Sequence, residues 1–161
     1  MAQNDLFALA RVLHVLAVVI WIGGVSMVTL VIIPAVKNMF NKDEQIKSFE
    51  KIEGKFAQIA KIATLITGIS GFYMLLITDG WYKYFELRYW WIHAMTLVWL
   101  LFTLILFVLE PLLLHKIFKK HVEKNPVKTF NIIHYVHVFL LLLSFLTIAG
   151  AVAGCHGWFW I

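Results

Sequence analysis

The chain has 161 residues, 61% of them hydrophobic and only 14% charged. Soluble domains carry about 25% charged residues, so an ordinary globular core is excluded and the length fits one membrane-embedded domain, residues 1–161. A formal charge of +5 and a single cysteine, Cys155, rule out an intramolecular disulfide and a cysteine cage for a metal; the lysines cluster in two short loops, a mark of membrane topology rather than of nucleic-acid binding.

A helix crosses the hydrocarbon core with about 20 apolar residues. Four segments qualify: roughly Leu6 to Val36, Phe56 to Thr78, Tyr89 to Leu114 and Phe130 to Gly154. Asp5, where a leader would be basic, and the length of the first run argue against a cleavable signal peptide. Span one is long enough to tilt or project from the bilayer, and Pro34 is expected to end or kink it. In the charged stretch Lys37 to Lys55 and just beyond, Ile46, Phe49, Ile52, Phe56 and Ile59 recur at helical spacing. That pattern predicts an interfacial helix running into span two. The expected fold is all-α, an integral membrane four-helix bundle of up-and-down topology with that interfacial helix between spans one and two.

The first and third loops carry Lys37, Lys42, Lys47, Lys51, Lys55, Lys116, Lys119, Lys120, Lys124 and Lys128. The opposite side has only Arg11, Lys83 and Arg88. The positive-inside rule therefore predicts a multi-pass protein of a bacterial inner membrane with both termini periplasmic. Trp81, Tyr82, Tyr84, Tyr89, Trp90, Trp91, Trp158 and Trp160 would form the outer aromatic belt. Gly23 and Gly24, then Thr64, Thr67, Gly68 and Gly71, then Gly150 and Gly154, let helices approach closely. The last pair also offers a face on which two bundles could form a homodimer.

Two histidines lie inside apolar runs. His14 is about eight residues into span one and His93 about four into span three, or roughly 12 and 6 Å below the outer boundary. Intramembrane ionisable residues are expected to face a bundle interior and to hold a ligand or a proton. A b-type haem between the two spans could take an axial imidazole from each. Arg88 could then meet the propionates, and Trp21, seven residues after His14, could wall the ring. The alternative is that each histidine bonds the helices or the interface.

His134 and His137 open span four on one helical face, near Glu110 and His115 in depth. They form a possible second haem or metal site or a proton-handling cluster, against the simpler reading that they meet water. His121, among lysines, reads as solvated. His156 follows Cys155, but Gly154-Cys155-His156 lacks the second cysteine of the covalent haem motif, so any haem is held non-covalently. His14, His93, His156 and Cys155, with Met27 or Met95, could instead bind copper. No phosphate loop, Ser/His/Asp order or zinc-protease motif is present.

The run Leu13-His14-Val15, Trp21-Ile22-Gly23-Gly24 and Pro34 resembles the opening helix of CopD-like copper-resistance membrane proteins and of HemJ-type protoporphyrinogen oxidases. Thr67-Gly68 with Gly71 is similar to both groups. Trp91-Ile92-His93-Ala94-Met95 is similar to the HemJ third helix, with Met95 standing where that family has lysine. The resemblance covers spans one to three. It implies haem b in the bundle with His14 as ligand, oxidoreductase or electron-transfer activity, and a quinone or respiratory-chain electron partner. The CopD side implies copper binding, transport or tolerance. A third expectation is a non-catalytic subunit or assembly factor of a respiratory complex.

Overall fold

A computed structural model of the chain describes residues 3–110 and 126–158. Among these residues all regular structure is helical, and four helices are long and apolar enough to cross a membrane. Many residues on them are β-branched, which lowers helix propensity in water. In hydrocarbon every backbone N–H and C=O must be satisfied within its own segment, and that requirement overrides the preference.

Span one is continuous from Gln3 to Met39: α1 (Gln3–Met27), a π-helical turn (Val28–Ile32) and α2 (Ile33–Met39). Pro34 does not end it. Proline lacks an N–H and its ring collides with the carbonyl four residues back. The turn before it accordingly widens, and the Ile33 N–H bonds the Val28 carbonyl five residues back. Thr29, fully buried there, donates its hydroxyl to the Val25 carbonyl at 2.7 Å.

Span two is one helix, α3 (Lys42–Ile77). The charged stretch is helical and runs without a break into span two, as its spacing predicts. It forms the first turns of a 36-residue helix, about 54 Å long and longer than the hydrocarbon core. Part of its apolar stripe finds cover inside the bundle, where Ile46 and Phe49 pack with Val28, Ile33, Val36 and Phe130, while Ile52 and Ile59 stay exposed. Gln45 clasps the tight turn between α2 and α3, its Nε2 donating to the Lys37 and Phe40 carbonyls at 3.1 and 3.2 Å. These are carbonyls at the end of a helix, which otherwise lack partners.

A short loop follows, with Asp79 in the left-handed region and two 3-10 turns (Gly80–Phe85 and Leu87–Tyr89). Span three is α4 (Trp90–Leu104) followed by a second π-helical turn (Ile105–Leu109). Its expected end at Leu114 lies outside the described residues. Span four is α5 (Pro126–Cys155). It ends in a Schellman cap: Gly157 has φ +78°, and Trp158 N–H reaches the Ala153 carbonyl at 3.0 Å.

Consecutive spans are antiparallel neighbours; the Gln3 side chain at the start of span one donates to the Ile77 carbonyl at the end of span two. The most extensive interface joins α1 and α3, and α4 packs mainly on α5. One core cluster fills the middle of the bundle around Trp21, Ala60, Val98, Phe102 and Leu140. Outward faces such as Leu13, Val19, Ile69, Leu97 and Leu142 remain apolar and exposed, as lipid requires.

The small residues seat aromatic rings. A Cβ at Gly24 would overlap Phe56, and one at Gly68 would lie 2.6 Å from Trp99. Cβ atoms at Gly150 and Gly154 would overlap Trp90 and Trp91. The face expected to be free for a second bundle is therefore occupied by span three of the same chain. Gly23 alone among the expected helix-contact glycines meets nothing within 4 Å.

Candidate functional site

His14 turns onto span two. Its Nδ1 lies 2.9 Å from the Thr67 carbonyl oxygen and 3.1 Å from Ser70 Oγ. The Ser70 hydroxyl hydrogen is already donated to the Ile66 carbonyl at 2.6 Å, so the imidazole Nδ1–H is the donor to both. Gly71 permits this approach, since a Cβ there would sit 3.2 Å from His14 Cε1. In the neutral ring the lone pair is then on Nε2, which no group among the described residues engages. A backbone carbonyl fixing one ring nitrogen so that the other can ligate is the usual outer support of a metal-binding histidine. Ser70 did not stand out in the sequence; its position three residues after Thr67 was the available signal.

His93 turns elsewhere. It is exposed, donates from Nε2 to the Tyr84 carbonyl at 3.0 Å, and rests against the Tyr84 ring edge at 5.3 Å. Tyr84 in turn donates its hydroxyl to Thr96 Oγ1 at 2.6 Å, because the Thr96 hydroxyl hydrogen is committed to the Ile92 carbonyl. His93 and Thr96 thus pin the loop between spans two and three to span three. The His14 and His93 rings take partners on different elements and make no contact with each other. Met95, one turn from the same loop, is half-buried.

Arg88 pairs with Glu86 at 2.5 Å and lies over the Tyr89 ring at 4.9 Å, with more than half of its side chain exposed. Trp21 is buried, its ring edge-on to Phe102 at 4.9 Å. Its Nε1 has no hydrogen-bond partner.

At the far end of span four, Cys155 and His156 are exposed. His156 Nδ1 donates to the Val152 carbonyl at 2.8 Å, which helps to cap the helix. Among the described residues, no three His, Cys, Asp or Glu side chains are grouped so that they could hold a metal ion.

On the lysine-rich side His134 stacks on Tyr135, whereas His137 turns inward against Phe49 at 5.8 Å. His137 Nδ1 donates to the Ile133 carbonyl at 2.9 Å, leaving its Nε2 lone pair free. His115 and His121 lie outside the described residues. Glu110 pairs with Lys61 of span two at 2.9 Å. The bundle also holds a partly open, largely apolar cavity of about 90 Å3, whose lining residues include Trp21, Glu53, Phe56, Ile105 and His137. Glu53 and Lys61 were not singled out in the sequence, because each lies among the many charges of the Lys37 to Lys61 region.

No protein-family model, no curated protein and no solved structure matches this chain.

Proposed function

We propose that the protein is a b-type haem protein of a bacterial inner membrane, acting in electron transfer or in HemJ-like oxidation, with His14 as an axial ligand and both termini periplasmic. The observation that carries this reading is the His14 Nδ1–H bond to the Thr67 carbonyl, which leaves Nε2 as the ligating nitrogen. A bare copper ion needs several donors converging from the protein, and His14, His93, His156 and Cys155 are not such a group. A porphyrin brings four nitrogens of its own, so one oriented imidazole can suffice. When bound, haem supplies one-electron chemistry; the chain supplies the ligand, its orientation and an apolar surround.

His93 is the candidate for the second axial position. Taking it would require the ring to leave the Tyr84 carbonyl or to ligate through Nδ1. Arg88 would serve a propionate by exchanging Glu86 for another carboxylate. Trp21 belongs to the core rather than to the surroundings of the His14 ring, and Met95 brings a thioether to the outer half of span three.

The test is a reduced-minus-oxidised spectrum of detergent-purified protein after haem-replete expression. A b-type alpha band is expected, and its absence overturns the reading. His14→Ala is expected to lose the band; full retention removes His14 from the assignment. Carbon monoxide binding by reduced His93→Ala, but not by the parent, identifies His93 as the second ligand. Metal analysis of the same preparation discriminates the CopD-like alternative, which predicts copper without haem.

A further inference from the structure

The first turns of α3 carry charges that the bundle itself does not use. Lys47, Lys51 and Lys55 recur at every fourth residue, and all three are exposed. None of them makes a hydrogen bond or ion pair with a described residue, whereas Lys61, further along the same helix, is paired with Glu110. Like charges four residues apart destabilise a helix, so the stripe does not serve the helix that carries it.

The direction of the stripe shows what it meets. At about 100° per residue, Lys51, Ile62, Ile69 and Leu76 share one face of α3 to within about 20°, with Lys47 and Lys55 about 40° to either side. Ile62, Ile69 and Leu76 are 62%, 70% and 59% exposed; this is the face that span two turns to lipid. The lysines therefore stand directly in line with a lipid-facing apolar surface. Glu50 lies about 100° and Glu53 about 160° around the helix from Lys51. Glu44 alone among the described carboxylates of α3 shares the face, and it is farther from the hydrocarbon than any of the three lysines.

Depth agrees with direction. The apolar length of span two begins at Phe56, the residue after Lys55, and successive lysines of the stripe are about 6 Å apart along the axis. Lysine stems lie along apolar surface and extend their ammonium groups to the interface, which brings the three charges toward one headgroup layer. We propose that Lys47, Lys51 and Lys55 form a binding site for an anionic phospholipid of the leaflet at the lysine-rich end. The ammonium groups hold its phosphate, and the face of Ile62 and Ile69 receives its acyl chains. A soluble phosphate compound would use the lysines but not the apolar continuation of their face. A zwitterionic lipid brings a cation of its own and leaves the three ammonium groups uncompensated.

The test is local and makes no use of haem. In a Cys155→Ser background, bimane is attached to Gln58→Cys, an exposed position on the same face just inside Lys55. The full-length chain is placed in vesicles of phosphatidylcholine with a minority of phosphatidylglycerol. One of the two lipids at a time carries a nitroxide on its chain, which quenches bimane at short range. Phosphatidylglycerol is expected to occupy the site at least about fivefold in preference to phosphatidylcholine, the factor corresponding to about 1 kcal/mol for even one lysine at a charged surface. The preference should fall at high salt. It should approach one in the Lys47→Gln, Lys51→Gln, Lys55→Gln variant and survive when the same three residues are replaced by arginine. Lys116→Gln, Lys119→Gln, Lys120→Gln removes equal charge from the other basic loop and should leave most of the preference. Equal quenching by the two lipids in the parent overturns the proposal. So does an equal loss in the two glutamine variants, which would assign the effect to diffuse surface charge, or displacement of the lipid by inorganic phosphate at matched ionic strength.

Discussion

At the scale of single residues, the glycines of this bundle act as sockets for rings on a neighbouring span. Trp90 and Trp91 of span three seat on Gly150 and Gly154 of span four, and Trp99 on Gly68 of span two. Overpacking such a socket costs about 1–3 kcal/mol. Gly150→Leu is therefore expected to lower the midpoint of thermal unfolding in detergent, while Gly23→Leu, which meets no neighbour, should change it little. Lys61 and Glu110 make a second residue-scale case. Removing one member of a desolvated ion pair strands the other charge, at a cost of as much as about 3 kcal/mol. Glu110→Ala should destabilise the protein clearly, and the Lys61→Met, Glu110→Leu double variant should recover most of the loss in a double-mutant cycle.

At the scale of elements, the first π-helical turn ends at Ile32, two residues before Pro34. Without an N–H at the proline position, the helix opens the preceding turn rather than breaking. Pro34→Ala removes that constraint, and proline is about 3 kcal/mol less favourable than alanine inside a helix. The variant is expected to raise the unfolding midpoint in detergent. The spans themselves were legible from their apolar length. The predicted helix of the charged stretch is continuous with span two; Ile46 and Phe49 of its stripe take apolar cover from Ile33, Val36 and Phe130, whereas Ile52 and Ile59 stay exposed. Spacing alone marks an apolar stripe without saying whether lipid or protein covers it.

At the scale of the whole molecule, the lysines gather at one end of the bundle, and the single cysteine provides a native probe of which side of the membrane that end faces. Cys155 is exposed at the end of span four. In intact spheroplasts a membrane-impermeant maleimide is expected to label it. In a Cys155→Ser background, Lys47→Cys at the lysine-rich end should label only after lysis. The reverse pattern would invert the topology.

The sequence by itself determined the number of spans, their antiparallel order and the concentration of positive charge at one end. These follow from the length of apolar runs and the cost of exposing backbone or charge to hydrocarbon. It also marked His14, His93 and His137 as ionisable groups within or beside the membrane. Only the tertiary structure decided where those rings point. His14 is turned by the Thr67 carbonyl and the open space at Gly71, His93 by the Tyr84 carbonyl, and His137 by the Ile133 carbonyl and the Phe49 ring. Depth along a span can be counted from sequence. The direction of a side chain around the helix axis is set by the carbonyls and rings within its reach, and it is that direction which separates a ring turned onto a neighbouring span, as at His14, from one that anchors a loop, as at His93.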